Sequence, residues 1–204
     1  MNTTTIIFDL GGVLIDWNPR YLYRKIFDDE ERMEYFLENI CTSDWNEQQD
    51  GGRSLAEGTN LLLEQHREWE QEIRAFYDRW EEMLGGVLQG TLDILTRFKE
   101  SGNYRLYALT NWSSETYPIA KERYEFLSWF EGVLVSGEEK MKKPDPKFYQ
   151  LLLDRFDIEA SESLFIDDNL RNVKAARAMG IEAIHFHNSA QLKQELKERG
   201  VAYL

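Results

Sequence analysis

The chain has 204 residues, 42% of them hydrophobic and 30% charged, a balance typical of a folded globular protein. Its formal net charge of −13 would repel nucleic acid and anionic lipid, so the composition disfavours a partner of either kind. The single cysteine, Cys41, excludes an internal disulfide bond, and no apolar run reaches the roughly 20 residues that span a bilayer. We therefore expect a cytoplasmic protein, and a small anionic substrate stays open if a few cations are concentrated in one pocket.

The first predicted element is a buried strand that begins at Ile6 and ends in Asp9, before the glycines Gly11 and Gly12. A carboxylate at the exit of a buried strand has two interpretations. Asp9 either caps the following turn, which is the commoner case for this residue type, or takes part in chemistry. This segment by itself favours the turn-capping role for Asp9.

Residues 16–85 are predicted to form an all-helical insertion of four helices. The first helix follows Asn18, which is a favourable N-cap residue, and the second covers residues 29–40. Residues 41–53 are predicted as a polar loop. Ser54 has the spacing of a capping box and opens the third helix, which a highly charged fourth helix follows.

The second half of the chain alternates helices and strands after a helix that Thr91 is predicted to cap. The predicted strands are Arg105–Thr110, Gly132–Val135, Ser163–Ile166 and Glu182–Phe186. The predicted helices span residues 114–127, 145–155, 169–179 and 189–199. Strands separated by single helices imply parallel pairing with right-handed crossovers. The predicted fold class is therefore α/β: a Rossmann-like doubly wound parallel sheet in a three-layer αβα core (residues 1–15 and 86–204), with an inserted all-helical cap (residues 16–85).

Polar residues follow the carboxyl ends of the predicted strands. They are Asp9, Thr110 and Asn111, Lys143 at the start of the next helix, and Asp167 and Asp168. Because the carboxyl ends of parallel strands meet at one edge of a sheet, we expect these side chains to converge. Carboxylates, a hydroxyl group and an ammonium group are what a phosphate and a divalent cation require. This convergence favours the chemical interpretation of Asp9.

The four motifs resemble those of the haloacid dehalogenase (HAD) superfamily of hydrolases, and within it the α-D-glucose-1-phosphate phosphatase subgroup. The matching segments are Ile6–Val13, Leu109–Asn111, Lys143–Asp145 and Phe165–Asn169. The resemblance covers the whole chain, including the helical cap after the first motif. It implies a Mg²⁺-dependent phosphatase that hydrolyses a small phosphorylated metabolite, in particular a sugar phosphate such as glucose 1-phosphate, through an aspartyl-phosphate intermediate.

The resemblance also implies the role of each residue. Asp9 is the nucleophile, and Thr110, Asn111 and Lys143 hold the phosphate. Mg²⁺ is bound by Asp9, the Gly11 carbonyl and Asp168. Asp167 either binds the ion through a water molecule or supports the residues that bind it. Four more residues are candidates for substrate binding, although ordinary packing also explains each of them: Asp16, Trp17, Trp45 and Trp112.

Two positions depart from the family pattern. Gly11 stands where many phosphatases of the family have an aspartate that protonates the leaving group, a contribution of about 10²–10⁴ in rate. Either the leaving group is good by itself, as an anomeric oxygen is, or another acid such as Asp16 or a bound water replaces the aspartate. We expect the first, which predicts faster turnover of sugar 1-phosphates than of 6-phosphates. Asn172 stands where many relatives have another aspartate, which lowers the negative charge near the metal.

Two other classes of function stay open. The same fold hydrolyses carbon–halogen bonds, as in 2-haloacid dehalogenases, through an ester at the position of Asp9. That reaction needs no metal and would leave the acidic pair Asp167 and Asp168 idle. A catalytically silent binding protein is the other class, and only the absent acid at Gly11 favours it.

Overall fold

The computed structural model describes residues 3–202, and a five-stranded parallel sheet lies at its centre. The strands are β1 (Thr5–Phe8), β2 (Ile15–Trp17), β3 (Leu84–Val87), β4 (Arg105–Thr110), β5 (Gly132–Val135), β6 (Ser163–Asp167) and β7 (Glu182–His185). The order in the parallel sheet is β5-β4-β1-β6-β7, while β2 and β3 form a separate antiparallel pair. The predicted parallel sheet is confirmed.

Strand β1 lies in the middle of the sheet, where it pairs with both β4 and β6. Phe8 is in register with Ala108 on one side and with Ile166 on the other. Strands buried on both faces have nearly continuous apolar sequences, which is why these runs could be identified without an alternating pattern.

Eleven α-helices occur in the described part of the chain, together with short 3₁₀ segments. The helices are α1 (Arg20–Tyr23), α2 (Glu30–Asn39), α3 (Ser43–Asp50), α4 (Leu55–Gln65), α5 (Glu70–Asp78), α6 (Gln89–Ser101), α7 (Tyr117–Arg123), α8 (Ser136–Glu139), α9 (Pro146–Phe156), α10 (Leu170–Ala178) and α11 (Ser189–Glu198). Helices α1–α5 lie between β2 and β3 along the chain. No helix within residues 3–202 is both long enough and apolar enough to cross a membrane.

The two faces of the sheet bury separate clusters of apolar side chains. Ile7 belongs to the cluster that includes Phe148 of α9 and Val173 of α10. Phe8 belongs to the cluster that includes Phe98 of α6 and Leu192 of α11, and this cluster continues into the apolar side chains of α2–α5. Helices therefore cover both faces, and the predicted three-layer α/β fold class is confirmed.

The clearest difference from the sequence prediction is helix α3, which forms in the segment predicted as a loop (residues 41–53). Thr42 caps it, since its Oγ1 accepts a hydrogen bond of 3.1 Å from the Trp45 backbone N–H. Only Trp45 and Gln49 of its eight residues are buried, so the helix has a weak apolar stripe. The cap residue and the docking of Trp45, rather than periodicity, determine this helix.

Two further expectations are corrected. Helix α6 begins at Gln89, with Thr91 buried inside its first turn, so Thr91 is not the cap. The helix predicted over residues 114–127 is divided into α7 and a 3₁₀ segment at Glu125–Trp129. The β2–β3 pair was not predicted, because its strands are short and lie far apart in sequence.

The division of the chain into a core (1–15 and 86–204) and a cap (16–85) stays a proposal, which the position of α1–α5 between β2 and β3 supports. Residues 1, 2, 203 and 204 of that proposed core lie outside the described residues.

Candidate active site

The ends of three neighbouring strands bring Asp9, Thr110 and Asp167 to one edge of the sheet. Asp9 follows β1 directly, and its backbone N–H donates a hydrogen bond of 2.8 Å to the carbonyl of Ile166 in β6. Thr110 is the last residue of β4 and Asp167 the last of β6. The parallel register therefore places the first, second and fourth sequence motifs side by side.

Lys143 joins two of these carboxylates by ion pairs. Its Nζ lies 2.8 Å from Asp9 Oδ2 and 2.7 Å from Asp167 Oδ2, and the lysine side chain is completely buried. Burial alone would lower the pKa of Lys143, but Asp167 and Asp9 together raise it, so the side chain stays an ammonium ion. The other oxygen of Asp9, Oδ1, accepts a hydrogen bond of 2.8 Å from the Leu10 backbone N–H.

The carboxylate of Asp167 has its hydrogen-bonding capacity satisfied by the protein. Besides Lys143, it accepts a 2.7 Å bond from the Asn169 backbone N–H and 3.1 Å contacts from Asn172 Nδ2 to both oxygens. Asn172 donates these bonds where an aspartate would instead add a repelling charge. The departure from the family pattern at this position thus has a local electrostatic reason.

The backbone of Lys143 is fixed by Asn111 through two reciprocal hydrogen bonds. Asn111 Nδ2 donates to the Lys143 carbonyl at 2.9 Å, and Asn111 Oδ1 accepts from the Lys143 backbone N–H at 2.8 Å. The side-chain amide of Asn111 is therefore engaged with the protein and orients the lysine, although the residue also lines the cavity above the site.

Thr110 presents a buried hydroxyl group that lacks a protein partner. Among residues 3–202, Thr110 Oγ1 has no hydrogen-bond partner, and the residue is completely buried. A buried hydroxyl without a partner costs free energy unless a ligand or a water satisfies it.

Three carboxylates at this edge are close enough to bind one cation. Single oxygens of Asp9, Asp167 and Asp168 all lie within 4.8 Å of one another. Burial raises the pKa of Asp9, and the charges of Asp167 and Asp168 raise it further, while Lys143 lowers it. When all three carboxylates are ionised, the single ammonium ion leaves two negative charges uncompensated. This imbalance and the oxygen-only donors fit Mg²⁺, a hard divalent cation.

Gly12 allows Asp168 to approach the loop after β1. The glycine has a φ of +73°, and a Cβ atom added there would lie 2.3 Å from Asp168 Oδ2. At Gly11, by contrast, an added Cβ would meet no atom within 4 Å, and the residue lines the cavity. The family's acidic residue would thus have room at this position, which glycine leaves open.

A cavity of about 280 Å³ lies above these motifs. Among the residues proposed from the sequence, its lining includes Asp9, Gly11, Asn111, Asp168, Trp17 and Trp112. Thr110, Lys143 and Asp167 are buried below it. The helical segment contributes further lining residues that were not identified from the sequence, namely Ser43, Asn46, Glu47, Asp50, Tyr77 and Trp80.

Besides the buried Thr110 and Lys143, two other proposed substrate-binding residues do not line this cavity. Asp16 accepts a hydrogen bond of 2.6 Å from the hydroxyl group of Tyr21. Trp45 donates from Nε1 to the Gly58 carbonyl at 3.0 Å and packs edge-on against Phe76 with ring centroids 5.0 Å apart. Packing within residues 16–85 accounts for Trp45, so the structure gives no support for its proposed role in substrate binding.

Helix α3 closes the cavity from the side of the helical segment. Glu47 Oε2 lies 2.8 Å from Lys142 Nζ, and Glu47 Oε1 lies 3.1 Å from Arg171 Nη2. Although burial works in the opposite direction, Lys142 and Arg171 lower the pKa of Glu47. The residue was missed because α3 was predicted as a loop, and no sequence signal indicates which carboxylate of that segment faces the sheet.

Comparison with known proteins decides the family. The family model of haloacid dehalogenase-like hydrolases matches residues 3–180. A sesquiterpene phosphatase of Aspergillus oryzae is 30% identical over 192 residues, which cover 94% of each chain. The chain belongs to the haloacid dehalogenase-like hydrolases. The HAD family and hydrolase class predicted from the motifs are thus confirmed.

Two more relatives of this HAD hydrolase extend the comparison. A phosphorylated carbohydrates phosphatase of Thermotoga maritima is 25% identical over 193 residues, covering 88% of this chain and 83% of the relative. A HAD-family enzyme of Bacteroides thetaiotaomicron, solved in complex with magnesium and inorganic phosphate, is 25% identical with a TM-score of 0.68. That alignment covers 91% of this chain and 95% of the solved one.

Proposed function

We propose that this HAD hydrolase is a cytoplasmic Mg²⁺-dependent phosphatase that hydrolyses a small phosphorylated metabolite, in particular a sugar phosphate such as glucose 1-phosphate. The observation that carries the proposal is the buried Lys143 between Asp9 and Asp167, with the further carboxylate of Asp168 close by. The phosphatase and the magnesium-bound enzyme among the relatives support it.

Asp9 attacks phosphorus in the proposed mechanism. The bond from phosphorus to the leaving oxygen breaks, and an aspartyl-phosphate forms on Asp9. Lys143 offsets the repulsion between the carboxylate and the phosphate, and Thr110 donates its unpartnered hydroxyl to a phosphoryl oxygen. Water then attacks phosphorus and releases inorganic phosphate, which restores the carboxylate.

Asp9, Asp168 and the Gly11 carbonyl are the proposed Mg²⁺ ligands. When bound, the ion neutralises negative charge on the phosphoryl oxygens. Asp167 is proposed to support the metal site without binding the ion directly, because Lys143, Asn169 and Asn172 already hydrogen-bond its oxygens.

The test is a panel of phosphomonoesters assayed with Mg²⁺ and with a chelator. We expect turnover only with Mg²⁺ and faster turnover of glucose 1-phosphate than of glucose 6-phosphate. After an acid quench, ³²P from labelled substrate should stay on the wild-type protein and be absent from Asp9→Asn, whose turnover should fall to background. Asp154→Asn, at an exposed position on α9, is the control that keeps activity. Metal-independent chloride release from 2-chloropropionate would instead indicate a dehalogenase.

A second candidate substrate is a sesquiterpenyl phosphate, and the shape of the site favours it. The cavity over Asp9 has aromatic walls that include Trp17, Trp80 and Trp112. Trp17 also lines a second cavity of about 570 Å³, whose apolar lining includes Leu37 and Phe76. The Aspergillus oryzae relative carries the name of a sesquiterpene phosphatase. A higher kcat/KM for farnesyl phosphate than for glucose 1-phosphate would select this candidate.

A further inference from the structure

Breaking the phosphate ester leaves an electron pair on the leaving oxygen, which then needs a proton. Gly11 has no side chain to supply it, and Asp16, the alternative acid proposed from the sequence, is hydrogen-bonded to Tyr21 outside the cavity lining. An anomeric leaving oxygen tolerates the lack of a general acid, but the turnover of esters with poorer leaving groups requires a proton donor from another part of the cavity wall or from solvent.

Four carboxyl groups line the cavity: Asp9, Glu47, Asp50 and Asp168. Asp9 and Asp168 have the proposed roles of nucleophile and metal ligand. Glu47 is held as an anion by Lys142 and Arg171, so it has no proton to donate. Asp50 is the remaining carboxyl group of this lining, and no cation contacts it among the ion pairs of residues 3–202.

Asp50 is the last residue of α3 and is held firmly against the sheet. Ser136 Oγ donates a hydrogen bond of 2.5 Å to the Asp50 carbonyl and accepts one of 2.9 Å from the Trp112 backbone N–H. Asn46 Nδ2 donates to Asp50 Oδ2 at 3.1 Å, and the Ser113 backbone also hydrogen-bonds the carboxyl group. Asp50 is thereby fixed beside the loop that follows β4, which carries Asn111.

The surroundings of Asp50 keep a large share of it protonated near neutral pH. Its pKa is raised to about 7: burial is the main cause and the neighbouring charge of Glu47 adds to it, while Lys142 and the Ser113 hydrogen bond oppose it. The hydroxyl group of Tyr77 on α5, which lines the same cavity, stays neutral, because burial raises its own pKa. A carboxyl group with a pKa near the working pH is suited to proton transfer.

We infer that Asp50 is the general acid for the leaving group and takes the place of the aspartate that Gly11 replaces. This inference rests on the proposed phosphatase function. As an oxygen of Asp9 bonds to phosphorus, the ester bond breaks, and the leaving oxygen takes the proton of Asp50. The Asp50 carboxylate then accepts a proton from the water that attacks the aspartyl-phosphate, and the bond from phosphorus to Asp9 breaks. Both residues return to their starting states.

The test is the leaving-group dependence of Asp50→Asn, which keeps the size of the side chain. On glucose 6-phosphate, whose alcohol is a poor leaving group, kcat/KM should fall about 10²–10⁴-fold. On 4-nitrophenyl phosphate, whose phenol leaves without help, kcat/KM should fall less than about 3-fold. This constant reports only the steps up to formation of the aspartyl-phosphate, so it does not include the later water attack that Asp50 also assists. The wild-type kcat/KM on glucose 6-phosphate should decline as the pH rises above about 7, because Asp50 loses its proton, and the variant should lack this decline.

Two variants serve as controls. Asp154 on α9 accepts a hydrogen bond from Gln150 four residues earlier, as Asp50 does from Asn46, but lies exposed outside the cavity. Asp154→Asn should leave both rates unchanged. Asp50→Glu restores a carboxyl group and should recover part of the lost rate on glucose 6-phosphate.

Several outcomes would overturn the inference. Equal losses of kcat/KM on both esters would indicate that Asp50 only supports the structure, and no loss on either would remove it from the reaction. If 4-nitrophenyl phosphate turnover needs Mg²⁺ and Asp9, the proposed function stands even when the inference about Asp50 fails. A wild-type protein without phosphatase activity on any ester would overturn both.

Discussion

The fully buried ammonium group of Lys143 is the counter-charge for two carboxylates at the centre of the site. Removing one partner of a buried ion pair typically costs about 3–5 kcal/mol, because a charge is left without compensation. Replacing Lys143 alone should therefore destabilise the fold as well as disable the site. The sequence places this lysine at the correct edge of the sheet. It does not reveal that the ammonium group of Lys143 pairs with Asp167 as well as with Asp9.

The replacement Gly12→Ala should weaken both folding and metal binding. A positive φ is unfavourable for alanine by about 1–2 kcal/mol, and the new Cβ would lie 2.3 Å from Asp168 Oδ2. Asp168 must then move away from Asp9. We expect a lower free energy of unfolding in urea and a higher Mg²⁺ concentration for half-maximal activity.

Gly11→Ala is the control for the folding part of this prediction. An added Cβ at Gly11 meets nothing within 4 Å, and Gly11 is not among the glycines of residues 3–202 with positive φ. Its free energy of unfolding should stay within about 0.5 kcal/mol of wild type. If Gly12→Ala is as stable as Gly11→Ala, the close approach of Asp168 to this loop does not constrain the protein.

At the scale of elements, the strands were predictable and helix α3 was not. The runs in β1, β4 and β6 are apolar almost throughout because helices cover both faces, so local sequence is enough to identify them. Helix α3 buries only Trp45 and Gln49, and its docking depends on contacts far away in sequence. Asp50 and Glu47 could not be selected as cavity residues for the same reason.

The ion pairs of Glu47 predict that α3 is held over the cavity partly by charge. Glu47→Gln should raise KM about 2- to 30-fold, since the two partly exposed pairs together contribute at most about 2 kcal/mol and 1.4 kcal/mol is a tenfold change. The wild-type KM should increase with NaCl concentration, and the variant should show a weaker increase. Steady-state kinetics over a salt series measures both effects.

Glu70→Gln is the control, because it breaks the ion pair with Arg74 within the single helix α5. Its KM and salt dependence should match the wild type. Lys142→Gln removes one partner of Glu47 and is not part of the cavity lining, so it should shift KM in the same direction as Glu47→Gln. An unchanged KM in both Glu47→Gln and Lys142→Gln would show that charge does not hold α3 in place.

At the scale of the whole molecule, the parallel sheet gathers motifs that are far apart in the chain. The strand order β5-β4-β1-β6-β7 places the central β1 between the strands of the second and fourth motifs. The convergence of Asp9, Thr110 and Asp167 could therefore be predicted from topology alone. The part of the site that depends on how residues 16–85 pack on the sheet could not, since no local pattern encodes that docking.

The uncompensated charge at the sheet edge predicts that Mg²⁺ stabilises the whole protein. At a concentration 100 times its Kd, an ion that binds only the folded state adds about 2.7 kcal/mol to the free energy of unfolding. For a chain of this size that corresponds to a rise in Tm of about 5–10 °C. Differential scanning calorimetry with MgCl₂, compared with NaCl at equal ionic strength, separates binding from screening of the net charge of −13.

Asp168→Asn should be more stable than the wild type without Mg²⁺ and less stable than the wild type with it. Without metal, the variant should be more stable than the wild type by up to about 1 kcal/mol, because it relieves repulsion among three carboxylates that lie within 4.8 Å. With Mg²⁺, it should gain little, because one of the proposed ligands has lost its charge, and the wild type should become the more stable protein. Asp154→Asn changes an exposed residue of α9 outside the carboxylate cluster. Mg²⁺ should stabilise this variant as much as the wild type. An equal gain in Asp168→Asn would place the stabilising ion elsewhere on this acidic protein.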